Sequence, residues 1–364
     1  MTERKRILFI LHLPPPVHGA AMVGAAIRDS RLIGDSFDCR FVNLSASASI
    51  DEVGKASLRK VGFIIRLLRK IRKEVMEWKP DLVYMTPTST LPGFFKDYLV
   101  ARLLQRRGCH VISHFHNKGV RRHQGRWLDN LLYTRFFRDM EVSLLSEKLY
   151  PDIEKYVPRE RVEICPNGLD FPQLTMSRNE GVPEVLFISN LLVDKGFSDL
   201  LSVCHELYVK RGMAFRCRFV GAPSKDVSAE SFLKEAEALG VRDAVLYDGP
   251  LYGADKLAAL GRASLFVLPT REDCFPLVVL EAMAAGLPVV STREGGIPDE
   301  VEDGITGILC EKGNPAALAE AVGALLANPE LRERMGSEGR SRYEAHFTAS
   351  QFEKRLLTIL QRHV

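Results

Sequence analysis

Two acidic residues in the second half of the chain, Asp273 and Glu281, lie just before and shortly after the start of an expected helix. This position suits a site where the helix start binds an anion and a carboxylate binds a ribose. An apolar strand ends at Leu268–Pro269, a polar loop follows, and a helix is expected from Pro276 to Ala285. A helix N-terminus attracts anions, and a carboxylate can bind both hydroxyls of a ribose. The plainer alternatives are an N-cap-type role for Asp273 and a solvated Glu281.

Short apolar strands that alternate with helical segments must position these residues. In the first half the expected strands are Arg6–Leu11, Phe37–Asn43, Asp81–Met85, Cys109–Ser113, Glu141–Leu145 and Val162–Cys165. In the second half they are Val185–Ser189, Phe215–Gly221, Ala244–Asp248, Ser264–Leu268 and Pro288–Ser291. Continuous apolar strands separated by helices indicate parallel sheets covered on both faces. We therefore expect an α/β fold of two Rossmann-like units, with ligands bound outside the carboxyl ends of the strands.

The segment 171–183 divides the two halves, because it contains two prolines and a glycine and keeps no apolar period. We expect an N-terminal domain over 1–170 and a C-terminal domain over 184–346. The amphipathic end of the chain, 347–364, is expected to form a helix that packs back on the N-terminal domain.

Composition excludes several classes of protein. The chain has 364 residues, 46% of them hydrophobic and 26% charged, which is typical of a globular protein with two domains. No apolar run is long enough to span a membrane, and the first residues resemble a buried strand rather than a signal peptide. Seven scattered cysteines favour reduced thiols in the cytoplasm and argue against a structural zinc site.

The net charge of +4 hides an uneven distribution. Residues 1–180 carry 30 Lys and Arg against 20 Asp and Glu, whereas residues 181–364 carry 20 against 26. The basic half suits an anionic surface or substrate, although uneven solvation gives the same pattern.

The segment Leu268–Ser291 resembles the nucleotide-binding signature of glycosyltransferase family 4, also called group 1. The signature has an acidic residue, seven further residues, a Glu and an Ala-Met-Ala-x-Gly-x-Pro-Val-like tail. The resemblance implies the GT-B fold, in which two Rossmann-like domains face each other across a cleft. It also implies a retaining mechanism without a required metal, of the bacterial surface-polysaccharide type.

The same resemblance assigns roles in the donor domain. Glu281 is expected to hold the ribose, Asp273 to contact the donor sugar, and Lys195 to bind the donor phosphate. The backbone of the intervening loop is expected to contact the diphosphate, through Cys274, Phe275, Pro276 and Leu277. The family usually has Glu where this chain has Asp273.

Two further segments of the second half extend the resemblance. Asn190 occupies a position where the family usually has Arg, so one cation at the diphosphate is missing, and Arg271 or Arg293 are the candidates to replace it. Gly249, Leu251 and Tyr252 belong to the segment whose backbone meets the nucleotide base.

The first half offers fewer specific signals. The loop Pro14–Gly19 follows the first strand, and from it we assign Gly19 to the donor and His18 to the acceptor. His116 is the expected catalytic histidine beside the donor sugar, with His114 as second choice. A metal site at this histidine pair lacks a third ligand with suitable spacing.

The remaining acceptor residues expected in this half are His114, Lys118 and Arg121. The segment Lys55–Trp78 carries eight Lys and Arg beside a row of apolar residues. Such a helix either lies on anionic lipid, through Lys55–Lys73, or presents a solvated basic face, and both interpretations stay open.

Together these features predict a cytoplasmic enzyme, peripheral on the inner face of the plasma membrane. It would be a retaining, metal-independent glycosyltransferase with His116, Lys195, Asp273 and Glu281 as catalytic residues. It would move a hexose or N-acetylhexosamine from a nucleoside diphosphate sugar, preferably UDP-linked, to a glycan or lipid-linked acceptor. No cofactor is expected beyond this co-substrate.

Four other functions are compatible with parts of the sequence. A nucleotide-sugar epimerase or a phosphorylase of GT-B fold, and an inactive donor-binding subunit, would share the donor motifs. A basic nucleic-acid-binding module would explain the charge of the first half, but no recognition motif with interleaved aromatic residues supports it.

Overall fold

The computed structural model describes residues 4–15, 18–45, 58–172 and 181–364, with residues 58–60 as backbone alone. The chain divides into two compact units. Unit 1 comprises residues 1–169 and 349–364, and unit 2 comprises residues 170–348. Each unit contains a six-stranded parallel sheet. The expected α/β fold of two Rossmann-like units is therefore confirmed.

Unit 1 is built on strands with the order β2-β1-β3-β4-β5-β6. They are β1 (Arg6–Leu11), β2 (Asp38–Asn43), β3 (Leu82–Met85), β4 (Val111–Phe115), β5 (Glu141–Leu144) and β6 (Val162–Ile164). Strands β3 and β4 are buried along their whole length, which explains their continuous apolar sequences.

Helices cover both faces of this sheet. They are α1 (Gly19–Asp29), α2 (Arg31–Ser36), α3 (Leu58–Lys73), α4 (Gly93–Gln105), α5 (Val120–His123) and α6 (Trp127–Phe136). The connections through α3, α4 and α6 run in one direction along the sheet, so right-handed crossovers place these three helices on the same face. Contacts of α4 with both α3 and α6 agree with this.

Unit 2 has the strand order β12-β11-β10-β7-β8-β9. Its strands are β7 (Glu184–Ile188), β8 (Arg216–Val220), β9 (Val245–Gly249), β10 (Leu265–Leu268), β11 (Val289–Thr292) and β12 (Gly307–Cys310). Its helices are α7 (Phe197–Cys204), α8 (Ala229–Ala238), α9 (Gly253–Arg262), α10 (Leu277–Ala284), α11 (Ile297–Glu300), α12 (Pro315–Ala327) and α13 (Pro329–His346).

In each sheet, successive strands are added first towards one edge and then towards the other, and the point where this order reverses lies between two neighbouring strands. In unit 1 this switch point lies between β1 and β3, and in unit 2 between β7 and β10. Ligands of open α/β sheets bind at such points, outside the carboxyl ends of the strands. The loops after β7 and β10 are therefore the first place to look for a site in unit 2.

The final helix, α14 (Ala349–Arg362), belongs to unit 1, where it packs against α2. Its buried residues Phe352, Leu356, Ile359 and Leu360 form one stripe, as its amphipathic sequence requires.

Strand β12 was not expected from the sequence. It begins at Gly307, where a Cβ atom would lie 2.1 Å from the carbonyl oxygen of Val289. The close approach of the two strands requires glycine, and glycine weakens the strand signal. The expected helices Leu58–Trp78 and Phe197–Val209 also differ in detail, since each ends in a π-helical turn, over Glu74–Trp78 and His205–Lys210. Within the described ranges, no helix has the length and apolarity needed to cross a membrane.

Candidate active site

An ion pair joins the two loops at the switch point of unit 2. Lys195 closes a short turn after β7, and Asp273 lies in the loop after β10. The Lys195 Nζ atom lies 2.5 Å from Asp273 Oδ2 and donates a second hydrogen bond, of 3.1 Å, to the carbonyl oxygen of Glu272. Both side chains are only partly exposed. The expected phosphate-binding lysine and the expected sugar-binding acid are therefore neighbours in this structure.

Backbone contacts hold the same two loops together. The carbonyl oxygen of Asp194 accepts hydrogen bonds from Arg271 N at 2.7 Å and from Thr270 Oγ1 at 3.1 Å. Gly196 has φ 78°, and a Cβ there would lie 2.1 Å from the carbonyl oxygen of Pro269. A side chain at position 196 would push the loops apart, so glycine is required at this contact.

A third loop, after β11, supports the segment that carries Asp273. Gly295 has φ 54°, and a Cβ there would lie 2.3 Å from the carbonyl oxygen of Asp273. The amide of Gly296 donates to the carbonyl oxygen of Cys274 at 2.6 Å. The side chains of Cys274, Phe275 and Pro276 are buried, and Leu277 is the first residue of α10. The expected contact of this segment's backbone with the diphosphate stays a prediction.

Glu281 lies on the second turn of α10 and forms an ion pair that the sequence analysis missed. Its Oε2 atom is 2.5 Å from the Nζ atom of Lys256, on α9. The segment before α9 contains the expected base-contacting residues: Gly249 with φ 70°, half-buried Leu251 and Tyr252, which is 70% exposed. The sequence signal that could have indicated Lys256 is its position four residues after Tyr252, at the start of the helix that follows this segment.

Both arginines considered above as replacements for the missing cation at Asn190 are paired with carboxylates in this structure. Asn190 is exposed, and its Oδ1 atom accepts a hydrogen bond of 3.1 Å from the amide of Ala222. Arg271 forms two hydrogen bonds, of 3.0 and 2.7 Å, with the carboxylate of Asp199. Arg293 pairs with Asp303. Both guanidinium groups thus have carboxylate partners already.

A buried carboxyl group lies close to the Asp273 segment. Glu300, on α11, is fully buried, and neither of its carboxyl oxygens has a hydrogen-bond partner among the described residues. Burial, helped by the negative charges of Asp273 and Asp299, raises its pKa well above the ordinary value. Burial thus favours the neutral form of Glu300, and no pattern in the sequence indicated this burial.

In unit 1, histidines cluster at the carboxyl edge of the sheet. His12 follows β1, and its amide donates to Thr86 Oγ1 at 3.1 Å, across the switch point. His18 caps α1 through a hydrogen bond of 3.4 Å from the amide of Ala21, so Gly19 is the first residue of this helix. The rings of His12 and His18 are 5.8 Å apart. The sequence analysis did not single out His12, which directly follows the expected first strand.

His114 and His116 lie 4.4 Å apart between ring centres, but in different surroundings. His114 lies within β4 rather than after it, is fully buried, and is hydrogen-bonded to the hydroxyl of Tyr84. His116 follows β4, and its ring nitrogens are shielded from solvent. Burial, with a smaller contribution from His18, lowers the pKa of His116 to about 4. Both imidazoles are therefore neutral near pH 7.

Lys118 and Arg121 flank the start of the short helix α5. The carboxylate of Asp152 accepts hydrogen bonds from the amides of Gly119, Val120 and Arg121 at 2.9, 3.1 and 2.9 Å. The side chain of Arg121 is exposed and that of Lys118 half-buried. Among the residues that the structure describes, no group of three or more His, Cys, Asp or Glu is arranged to hold a metal ion.

The sequence of the chain is similar to those of known proteins. Residues 176–342 match the model of the family described as glycosyl transferases group 1. A D-inositol 3-phosphate glycosyltransferase of Streptomyces griseus is 42% identical over 121 residues, which are 32% of this chain and 25% of that protein. A glycogen synthase of Mycobacterium tuberculosis is 27% identical over 288 residues, which are 74% of this chain and 66% of that protein. The chain thus spans less than two thirds of the length of these relatives.

The fold is shared with a solved structure along nearly the whole chain. HepE of Anabaena, in complex with UDP-glucose, aligns over 98% of this chain and 99% of its own. The TM-score is 0.76 and the sequence identity 16%.

The depressed pKa of His116 predicts an acid-sensitive unit 1. Between pH 6.5, near the unfolded pKa of histidine, and pH 4, the unfolded chain binds more protons than the folded one. The free energy of unfolding therefore falls as pH drops through this window, by about 2 kcal/mol between pH 7 and pH 5 for this group. In urea unfolding, the free energy of unfolding of His116→Gln should fall by about 2 kcal/mol less than that of the wild type between pH 7 and pH 5.

His346→Gln, which changes an exposed histidine of unit 2, serves as the matched control and should keep the wild-type pH dependence. Equal losses in the wild type and His116→Gln would contradict the assignment of a neutral, buried His116.

Proposed function

We propose, from the match of residues 176–342 to the family of group 1 glycosyl transferases, that the chain transfers a sugar from a nucleoside diphosphate to an acceptor hydroxyl. The transferred sugar is a hexose or N-acetylhexosamine, and the acceptor is a glycan or a lipid-linked sugar of surface-polysaccharide synthesis. The observation that carries the proposal is the Lys195–Asp273 pair at the switch point of unit 2, with Glu281 on the following helix.

Charge develops on the diphosphate as the bond to the sugar breaks, and unit 2 offers two kinds of group to stabilise it. Lys195 Nζ is a partly exposed cation, and α10 begins with backbone N–H groups directed to the same loop. Such preorganised groups need no metal ion to stabilise a leaving group. Asp273, which is one methylene shorter than glutamate and is paired with Lys195, orients the donor sugar.

The nucleoside is held by Glu281 and the segment 249–252 in this proposal. A carboxylate can accept hydrogen bonds from both ribose hydroxyls. HepE of Anabaena, which shares this fold, was solved with UDP-glucose bound, and this favours UDP as the donor nucleotide.

Transfer proceeds with retention of configuration at the sugar. The bond between the anomeric carbon and the diphosphate oxygen breaks, and the acceptor oxygen forms the new bond on the same face. The acceptor proton passes to the leaving diphosphate, so that no protein nucleophile is needed. His116, held neutral by burial, is suited to hydrogen-bond a sugar hydroxyl rather than to carry charge.

A donor-only reaction is the main competing function. An epimerase would convert the nucleotide sugar without any acceptor, a phosphorylase would require phosphate, and an inactive donor-binding subunit would bind without turnover. Nucleotide release that depends on an added glycan or lipid-linked sugar supports the transferase, whereas turnover that ignores every acceptor contradicts it.

Donor binding should depend on two residues of unit 2. Glu281→Gln removes the charged acceptor of the ribose hydroxyls, and Lys195→Ala removes the cation at the diphosphate. Each loss of a charged hydrogen bond should weaken UDP-sugar binding by about tenfold or more, measured by calorimetry after a thermal-shift screen has chosen the donor. Glu230→Gln, in an exposed pair on α8, is the control and should bind normally. Unchanged affinity in Glu281→Gln would contradict the donor site.

The acceptor side has features of a membrane-docking surface. Helix α3 carries basic residues at 66, 69, 70, 72 and 73, and exposes Val61 and Ile65; the part of the expected basic segment at 55–57 lies outside the described residues. Because α4 and α6 start at the carboxyl edge of one sheet face, their exposed apolar residues lie near that edge, whereas the cations of α3 lie along the second half of that helix on the same face. Those on α4 and α6 are Phe95, Leu128 and Trp127, which is 77% exposed.

We call these exposed residues, with the α3 cations, the anchor face, and propose that it contacts anionic lipid at the cytoplasmic side of a membrane. Exposed tryptophan and phenylalanine enter the headgroup region, while Lys and Arg pair with anionic lipids. A lipid-linked acceptor would then be presented at the edge where the unit 1 histidines cluster. A solvated face would explain the basic residues of α3 but not the exposed Trp127.

Vesicle pelleting tests the anchor face. Changing Arg66, Arg69, Lys70 and Lys73 to Gln should reduce binding to vesicles with anionic lipid by at least about tenfold, since each cation near the surface contributes on the order of 1 kcal/mol. Trp127→Ser should reduce binding independently of charge. The matched control changes four exposed cations of unit 2, Lys210, Lys225, Lys234 and Arg334, to Gln. Equal loss in both quadruple variants would contradict a specific anchor face.

A further inference from the structure

Lys256 forms an ion pair in the candidate donor site that no motif indicated. It is the fourth residue of α9, which follows the segment 249–252, and its Nζ atom lies 2.5 Å from Glu281 Oε2. The two side chains are 24% and 18% exposed. The pair therefore joins two helices at a partly exposed position.

The topology of unit 2 explains why these helices meet. The connections through α9 and α10 both run from the β9 side of the sheet towards β12, so right-handed crossovers place them on the same face. Both helices start at the carboxyl edge of the sheet, because each follows a parallel strand. Lys256, on the first turn of α9, and Glu281, on the second turn of α10, are thereby brought into contact.

We propose that Lys256 is a positioning residue of the donor site, which holds the Glu281 carboxylate in the orientation that binds the ribose. This inference rests on the proposed donor-binding role of Glu281. A carboxylate has about four acceptor positions, so the contact with Lys256 leaves others for the two ribose hydroxyls. Fixing the glutamate rotamer before the ligand arrives reduces the entropy lost on binding.

The contact differs from the ordinary ion pairs of this unit. Lys234 and Glu230 also pair at 2.7 Å, but within one helix and with side chains 71% and 77% exposed. Exposed pairs of that kind contribute little, whereas removing one partner of a more buried pair leaves a charge without compensation. The Lys256–Glu281 pair is therefore expected to matter for the carboxylate, while the Lys234–Glu230 pair is not.

The pair also connects recognition of the base with recognition of the ribose. Helix α9 fixes the end of the segment 249–252, and Lys256 fixes the carboxylate on α10. Loss of Lys256 should consequently weaken binding of the whole nucleoside. In contrast, Lys195 is assigned to the diphosphate, so its loss should affect only ligands that carry phosphate.

Uridine and UDP separate these two effects. Lys256→Met should weaken both ligands by the same factor, about tenfold, measured by calorimetry for UDP and by ligand-observed NMR for uridine. Lys195→Ala should weaken UDP but not uridine. Lys256→Arg should restore most of the affinity, because it keeps the cation, and Lys234→Met should bind as the wild type does. In turnover, Lys256→Met should raise the donor KM and leave kcat within about twofold.

A double-mutant cycle tests whether Lys256 acts through Glu281. In a Glu281→Gln background, Lys256→Met should change UDP affinity by less than about twofold. A loss for UDP without a loss for uridine would mean that Lys256 contacts the diphosphate itself, and would overturn the proposal. So would unchanged affinity for both ligands in Lys256→Met, or an undiminished effect in the Glu281→Gln background.

Folding and the donor site itself need separate readouts. Lys256→Gln provides a second neutral variant, and thermal unfolding of every variant must lie well above the assay temperature before the affinities are compared. If Glu281→Gln alone binds UDP normally, the proposed donor site fails. If Glu281→Gln loses affinity and Lys256→Met and Lys256→Gln do not, only the role of Lys256 fails.

Discussion

The ion pair between Lys195 and Asp273 is the interaction on which the proposed chemistry of unit 2 depends. It lies at the switch point between β7 and β10, where the two loops diverge from neighbouring parallel strands. These two loops can approach closely because Gly196 has no side chain to collide with the carbonyl group of Pro269. Gly295 likewise allows the loop after β11 to pack against the carbonyl group of Asp273. In the proposed donor site, Lys195 supplies the cation that binds the diphosphate, and its ion pair with Asp273 holds that cation in position before the donor binds.

The distribution of charge gives this pair its importance. The second half of the chain is acidic overall, and its nearby arginines, Arg271 and Arg293, are held by carboxylates of their own. An anionic donor must therefore rely on local groups, which are Lys195 and the backbone N–H groups at the start of α10. The excess of basic residues lies in the first half of the chain, and the cations of α3 are part of it.

The sequence predicted features whose partners are close in the chain or fixed by strand periodicity. Asp273 and Glu281 belong to one strand–loop–helix segment, so their placement followed from the helix start at Pro276. Lys256 was missed because its contact with Glu281 depends on two helices sharing a sheet face, which requires the strand order. Glu300 was missed because burial of an acid without a partner contradicts ordinary residue preferences.

Amide hydrogen–deuterium exchange with and without UDP-glucose tests the central claim most directly. A donor bound at the switch point of unit 2 would shield the backbone amides of the loops that surround it. We therefore expect slower exchange in 189–196, 249–252 and 270–277 when UDP-glucose is added, and unchanged exchange in the sheet edge at β12. Protection confined to segments outside these three loops, with saturating UDP-glucose, would contradict the account.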